Sequence, residues 1–141
     1  MNKNVLIIDG QGGQLGRQMV EAVRSLIPDA QITAVGTNAI ATAAMLKAGA
    51  DQGATGENAV VVCTRSADII VGPVGIVIAD SLLGEITPAM AVAVGQSSAK
   101  KILMPVNKCN NIIIGVDGKT TTELIGDAIA KIKAISEGCE R

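Results

Sequence analysis

The residues best suited to chemistry form a glycine-rich segment near the start of the chain, Gly10–Gly16. An apolar run typical of a buried strand precedes it and ends at Asp9, and an amphipathic stretch typical of a helix follows it. Glycines let the backbone approach a phosphate closely, and the free N–H groups at a helix start favour an anion. A plain strand-to-helix turn without a ligand would have the same pattern. We expect a phosphate-binding loop made of Gly10, Gln11, Gly12, Gly13, Gln14, Leu15 and Gly16.

The neighbouring loops supply the other candidate binding residues. In α/β folds with parallel strands, ligands bind beyond the carboxyl ends of the strands, where the strand order reverses. The segment Gly36–Asn38 follows a second apolar run, and Gly72–Gly75 follows a third. We therefore add Thr37, Asn38, Gly72 and Pro73 to the candidate site, with Pro105–Cys109 on the same rim.

The spacing of the glycines carries a resemblance to known enzymes. Because position 15 is leucine, the pattern is G-x-x-G-x-x-G through Gly10, Gly13 and Gly16. This form resembles the turn of the extended short-chain reductases. The string Gly13–Arg17 is also similar to the start of dTDP-rhamnose-type reductases and to the N-terminal domain of some ATP-grasp carboxylases. The resemblance implies a nucleotide or dinucleotide ligand, with NAD or NADP favoured if a cofactor is bound at all.

Two departures count against a working dehydrogenase. An NAD-binding unit usually carries Asp or Glu after its second strand for the ribose hydroxyls, and that place here holds Gly36, Thr37 and Asn38. No Arg or Lys near Asn38 offers a site for a 2′-phosphate, although Thr37 or Asn38 could hydrogen-bond a ribose. Reductases of the resembled family use a Tyr-x-x-x-Lys pair, and this chain has no tyrosine. It is not a competent short-chain dehydrogenase.

Acid–base chemistry would fall to Asp, Glu, Lys and Cys, because the chain has no histidine and no tyrosine. Asp9 either faces the glycine loop or is a turn residue. Asp80 and Glu85 interrupt an apolar segment, as buried carboxylates with a raised pKa or as part of a solvated helix face. Lys108 could make the Cys109 thiolate more available, or Cys109 could simply fill apolar space. No catalytic residue is assigned, and whether the protein is an enzyme stays open.

Composition excludes several classes of function. The chain has 141 residues, 48% of them hydrophobic, and a net charge of −1, which gives no basic footprint for nucleic acid or an anionic membrane. Three scattered cysteines without histidine form no usual zinc site, and they indicate reduced thiols in a cytosol. The run Val5–Ile8 is too short for a signal peptide, and Ile69–Ala79 is too short to span a membrane. We expect a cytoplasmic protein with no metal.

Apolar runs alternate along the chain with helical patterns. Strands are predicted over Lys3–Asp9, Ala30–Val35, Ala67–Val71, Lys101–Val106 and Asn111–Val116. Helices are predicted over Leu15–Ile27, Ala39–Ala48 and Ile76–Leu83, then from Thr87-Pro88 onward and after the capping box Thr120–Glu123. Residues 51–56 form a loop or a strand, and 57–64 a strand or a helix. This alternation predicts a single Rossmann-like α/β domain over residues 1–141, a mostly parallel sheet with helices on both faces.

A wider resemblance covers nearly the whole chain. Together with Asp9–Gly16, the segments Gly72–Val77, Asp80–Met90 and Leu103–Cys109 look like a small bacterial family of unknown function. The resemblance implies a short, Rossmann-like cytoplasmic protein and supplies no activity.

Three functions remain open. The first is a nucleotide- or dinucleotide-binding protein, whose ligand would be a nucleotide or another small anion. The second is a non-catalytic oligomeric or regulatory module that kept the fold without a nucleotide. The third is a small-molecule enzyme using Lys108, Cys109, Asp80 or Glu85. A mean hydropathy of +0.42 and the apolar stretch Ile86–Val94 also predict a homo-oligomer, most simply a homodimer.

Overall fold

The computed structural model describes residues 2–106 and 110–138. They form a five-stranded parallel sheet with the strand order β3-β2-β1-β4-β5. The strands are β1 Asn4–Asp9, β2 Gln31–Gly36, β3 Gln52–Thr55, β4 Ile69–Pro73 and β5 Lys100–Met104. The helices are α1 Gln14–Leu26, α2 Ala39–Lys47, α3 Glu57–Cys63, α4 Pro88–Gln96 and α5 Thr121–Ser136. The α/β class is confirmed, and the strand order is that of doubly wound nucleotide-binding sheets, with its reversal between β1 and β4.

Helices cover both faces of the sheet. Side chains alternate across β1, so Val5 and Ile7 lie in one hydrophobic cluster and Leu6 and Ile8 in another. The first cluster joins the sheet to buried residues of α1, α2 and α5, and the second joins it to α3 and α4. The described part of the chain contains no helix long and apolar enough to cross a membrane.

The helices α1 and α2 pack closely against each other without aromatic side chains, since the chain has none. A Cβ added at Gly16 of α1 would lie 2.5 Å from the Met45 sulfur of α2 and 2.8 Å from the Asp9 Cβ. Only glycine therefore allows Met45, which is fully buried, to lie so near the end of β1. Gly16 thus has a packing role whether or not a ligand binds beside it.

Three predicted helix starts, those of α2, α4 and α5, are confirmed. The Asn38 side chain accepts a hydrogen bond from the Ala41 N–H at 2.9 Å and caps α2. The Thr87 hydroxyl caps α4, which has Pro88 in its first turn. The capping box of α5 is formed by Thr120 and Glu123, with both hydrogen bonds at 3.1 Å. These caps depend on residues three positions apart, so the local sequence is enough to predict them.

The two ambiguous segments become a strand and a helix. Residues 52–55 form β3, which pairs with β2 at the edge of the sheet although all its residues are exposed. Residues 57–63 form α3, whose residue Val60 is completely buried. Pairing with β2 and packing against α4 decide these states, because the short local patterns fit either one.

One predicted helix and one predicted turn are wrong. The segment predicted as a helix over Ile76–Leu83 is a short 3-10 helix, Val74–Val77, followed by a loop. Its apolar residues are still used, because Ile76, Leu82 and Ile86 are buried in the core. The predicted turn at Gly72–Gly75 is also shifted, since β4 continues through Pro73.

The strand predicted over Asn111–Val116 does not form. Ile112 and Ile114 are 87% and 88% exposed, and Gly115 has a left-handed φ of 91°. An apolar run becomes a strand only where a neighbouring strand accepts its hydrogen bonds. Here the chain turns through a loop toward α5 instead, and no strand pairs with it in the described part of the protein.

Candidate functional site

The glycine-rich segment forms a tight turn between β1 and α1, as its sequence context predicts. The Gly13 N–H donates to the Gly10 carbonyl at 2.9 Å, and Gly13 then serves as the N-cap of α1. Gly13 has a left-handed φ of 74°, which glycine adopts without strain. Gln11 also has a positive φ, of 51°, which is uncommon for a residue with a side chain. A non-glycine residue in this conformation often marks a functional position.

Asp9 closes the inner side of the turn. Its side chain is 4% exposed, and its two oxygens accept hydrogen bonds from the Gly10 N–H at 2.8 Å and the Gly16 N–H at 2.6 Å. Burial raises the pKa of the Asp9 carboxyl above its ordinary value, although both hydrogen bonds act in the opposite direction. Asp9 is thus the satisfied turn residue that one sequence interpretation predicted, and it accepts the Gly16 N–H in the first turn of α1.

The outer side of the turn carries backbone N–H groups that make no described hydrogen bond. Within residues 2–106 and 110–138, the backbone N–H groups of Gly12, Gln14 and Leu15 have no hydrogen-bond partner. These three residues line a small cavity of about 130 Å³ together with Asp9, Gly10, Gln11 and Gly13. Ligand pockets usually measure about 300–1,000 Å³, so this cavity has room for one phosphate-sized group and not for a whole nucleotide.

A carboxylate from a distant loop meets the turn at its other end. Glu85 Oε1 accepts hydrogen bonds from the Gln11 N–H at 2.6 Å and the Thr37 hydroxyl at 3.0 Å. Glu85 Oε2 accepts one from the Asn38 amide at 3.1 Å. The same amide donates to the Gln11 carbonyl at 2.9 Å. The loop after β4 is thereby tied to the carboxyl ends of β1 and β2.

Gly10 makes the approach of Glu85 possible. A Cβ at Gly10 would lie 2.6 Å from both Glu85 Oε1 and the Thr37 hydroxyl, and 3.0 Å from Leu82. Any larger residue would push the carboxylate away from the strand ends. Glycine at position 10 therefore keeps the contact of Glu85 with Thr37 as observed, which the G-x-x-G-x-x-G pattern alone does not reveal.

The structure brings together only part of the predicted site. The loop Gly10–Gly16, Thr37 and Asn38 lie at one edge of the sheet and are joined by the bonds described above. Gly72 has another explanation, because a Cβ there would lie 2.5 Å from the Ile8 carbonyl of β1. Gly72 and Pro73 are buried in β4 and do not line the small cavity. Asp80 is exposed on the loop that carries Glu85, and Lys108 and Cys109 lie outside the described residues.

The hydrogen bonds of Glu85 were not predicted from the sequence. The two interpretations of this residue, a buried carboxylate and a member of a solvated helix face, both differ from the half-buried, triply hydrogen-bonded side chain observed. Glu85 and Gln11 are 74 positions apart, so no local spacing links them. The one signal in the sequence was the absence of Asp or Glu directly after β2, where Thr37 and Asn38 stand instead.

Comparison with known proteins identifies a family and no activity. No curated protein and no solved structure matches the chain significantly. A family model described as a domain of unknown function, DUF3842, matches residues 4–137. This match supports the resemblance to a family of unknown function and adds nothing to the similarity with the short-chain reductases. Because the match covers nearly the whole sequence, the chain belongs to the DUF3842 family.

Proposed function

We propose that this protein binds a nucleotide at the carboxyl edge of its sheet, with a phosphate at the start of α1. The observation that carries the proposal is the set of unpaired N–H groups at Gly12, Gln14 and Leu15 beside the cavity of about 130 Å³. Free amide groups and the positive end of a helix together favour an anion. The α1 helix has 13 residues, long enough for this effect.

Asp9 limits the charge that the site can accept. It already takes the Gly16 N–H, and its own negative charge opposes an anion nearby. Burial raises the pKa of Asp9, so the carboxyl is protonated more easily when an anion approaches. These facts favour one phosphate group at the loop over a cluster of phosphates.

The remainder of a nucleotide would lie on the open edge of the sheet, because the cavity holds only the phosphate. Two large apolar side chains that are close in sequence to the site residues are exposed. Ile40 lies two residues after Asn38 and is 72% exposed, and Leu83 lies two residues before Glu85 and is 98% exposed. Exposed apolar side chains of this kind commonly mark binding surfaces, and a base would cover part of them.

The experiment is a thermal-shift and calorimetric screen with NAD, NADP, ATP, FAD and coenzyme A. A ligand at one hundred times its Kd stabilises the folded state by about 2.7 kcal/mol, which raises Tm by on the order of 5–10 °C for a chain of this size. Absence of any shift at millimolar concentration would contradict the proposal. It would favour instead a non-catalytic module that kept the fold without a nucleotide.

Gly12→Val is the variant that tests the location. A Cβ at Gly12 meets nothing within 4 Å and its φ is not left-handed, so the fold should tolerate valine while the side chain blocks the ligand. The matched control is Gly95→Ala on α4, where a Cβ also meets nothing within 4 Å. Binding that survives in Gly12→Val would move the ligand to another site.

Catalysis by the short-chain dehydrogenase mechanism is excluded from the proposal, because the chain has no tyrosine. Among the residues suggested for another enzymatic reaction, Glu85 alone is tied to the loop by hydrogen bonds that the structure describes. Binding is therefore the better supported function, and no reaction is assigned.

We also propose that the protein forms a homodimer through α4. Val92 is 53% exposed on this helix and Val62 is 46% exposed on the adjacent α3. A groove of about 620 Å³ runs between the two helices and is lined in part by Val61, Ala89, Val92 and Ala93. A second copy that covers this groove would remove the exposed valines from water, which supports a two-fold contact.

A further inference from the structure

We infer that Glu85 recognises the ribose of the bound nucleotide and selects an unphosphorylated ribose over one that carries a 2′-phosphate. The inference rests on the proposed function, since it names a specificity determinant of the same site. In doubly wound nucleotide-binding sheets, an acidic residue after the second strand accepts hydrogen bonds from the ribose hydroxyls. In this protein the residues after β2 are Thr37 and Asn38, and both donate to the carboxylate of Glu85.

The first support is the position of the carboxylate. Glu85 touches the end of β2 through Thr37 and Asn38, and the glycine loop through the Gln11 N–H at 2.6 Å. A carboxylate at the end of the second strand and beside the phosphate loop is therefore present, although a different part of the chain supplies it.

The second support is the way in which the carboxylate is held. The loop that carries it is closed by the Asp80 N–H, which donates to the Ile86 carbonyl at 2.7 Å, and by the Ile86 N–H, which donates to the Ser81 carbonyl at 3.2 Å. Leu82 and Ile86 on either side of Glu85 are buried. Asp80, Leu82 and Leu83 all have positive φ values, between 55° and 66°. These φ values are costly for non-glycine residues, and the loop that adopts them holds Glu85 against the ends of β1 and β2.

The third support is the hydrogen-bonding capacity that remains. A carboxylate offers about four acceptor positions, and the described contacts use three of them, two on Oε1 and one on Oε2. Oε2 accepts one of the described hydrogen bonds and Glu85 is half-buried, which leaves an acceptor position of Oε2 for a hydroxyl group of the ligand. A ribose hydroxyl is such a donor, whereas a phosphate at physiological pH is an acceptor that carries negative charge.

The fourth support is that the two stretches of sequence that carry Thr37, Asn38 and Glu85 contain no basic residue. No lysine or arginine occurs between Arg24 and Lys47, the stretch that contains β2 and its following loop. None occurs between Arg65 and Lys100, the stretch that contains β4 and Glu85. A 2′-phosphate would face Glu85 without a neighbouring cation from either stretch, and like charges in contact oppose binding.

The test is calorimetric titration of the intact protein with NAD and NADP, and with ADP and 2′,3′-dideoxy-ADP. We expect NAD to bind at least about tenfold more tightly than NADP, and the loss of the ribose hydroxyls to weaken ADP binding by about tenfold. In Glu85→Gln the ratio of the Kd for NADP to the Kd for NAD should fall toward one. The control Asp127→Asn, which removes an exposed carboxylate on α5, should keep the preference.

The outcomes separate the inference from the proposal beneath it. If no nucleotide binds to the unmodified protein, both are wrong. If nucleotides bind but NADP binds as well as NAD, or dideoxy-ADP as well as ADP, only the inference is wrong. An unchanged NAD preference in a folded Glu85→Gln protein would also overturn it. Should that variant fail to fold, the comparison of ADP with its dideoxy analogue decides the question in the unmodified protein.

Discussion

The carboxylate of Glu85 lies 2.6 Å from the backbone nitrogen of Gln11, across 74 positions of sequence. This contact joins the loop after β4 to the glycine-rich turn after β1, the two strands between which the sheet order reverses. Crevices at such reversals are where ligands bind in doubly wound folds. The Glu85 side chain thus connects the glycine-rich turn after β1 to the loop after β4.

The two central glycines of the turn should differ in their effect on stability. In Gly13→Ala the new methyl group would lie 2.8 Å from the Ala41 Cα, and the residue would have to keep a φ of 74°. The left-handed conformation alone costs about 1–2 kcal/mol, so we expect the free energy of unfolding to fall by at least that amount. Urea denaturation measures it.

Gly12→Ala is the control for this comparison. Its methyl group would meet no atom within 4 Å, so its free energy of unfolding should stay within about 0.5 kcal/mol of the unmodified protein. Equal losses of unfolding free energy in the two variants would contradict the left-handed conformation and the close packing of Gly13.

Asp9 should make the protein less stable as the pH rises. Burial raises the pKa of Asp9 in the folded state above the ordinary value of 3.8. Between these two pKa values the folded state binds more protons than the unfolded state, so the free energy of unfolding decreases with rising pH. We expect this decrease to begin near pH 3.8 and to be complete above the folded-state pKa.

Asp9→Asn removes the titration and supplies the comparison. The variant should be less stable overall by about 1–3 kcal/mol, because an amide oxygen can replace only one of two acceptors. As the pH rises from 4 to 7, the unmodified protein loses stability through the ionisation of Asp9, and the variant does not. The difference in the free energy of unfolding between the two proteins should therefore shrink, since the other carboxyls titrate in both. A constant or growing difference would contradict the raised pKa. A ¹³C NMR titration of the Asp9 carboxyl checks the direction without any substitution.

Two neighbouring valines of α4 should separate the dimer contact from the core. Val92 is 53% exposed, so Val92→Glu should fold and should sediment as a monomer near 14.3 kDa. Val94 is 1% exposed, so Val94→Glu would bury an unpaired charge and lose at least about 3 kcal/mol. Sedimentation equilibrium and circular dichroism measure the two effects.

An unmodified protein that sediments as a monomer at micromolar concentration would overturn the proposed dimer. A Val92→Glu protein that remains dimeric would move the contact away from α4. Val94→Glu serves as the unfolding control in both cases, because its effect follows from burial in a single copy of the chain.

The sequence by itself determined the elements that depend on near neighbours. The buried run before Asp9, the amphipathic pattern of α1 and the caps at Asn38, Thr87 and Thr120 each involve residues within a few positions of one another. The parallel α/β class followed from the alternation of these elements. The strand–turn–helix context of Gly10–Gly16 was predictable for the same reason.

Only the tertiary structure decided where apolar runs without a distinctive period would go. Ile76–Leu83 became the end of a short 3-10 helix and a loop with positive φ values, because its side chains fill the core without a helix. Asn111–Val116 stayed outside the sheet, because no strand in the described part of the chain pairs with it. The candidate site depends on the same long-range geometry. Thr37 and Asn38 contact Glu85 from 48 and 47 positions away in the sequence, and only the folded sheet brings them within hydrogen-bonding distance.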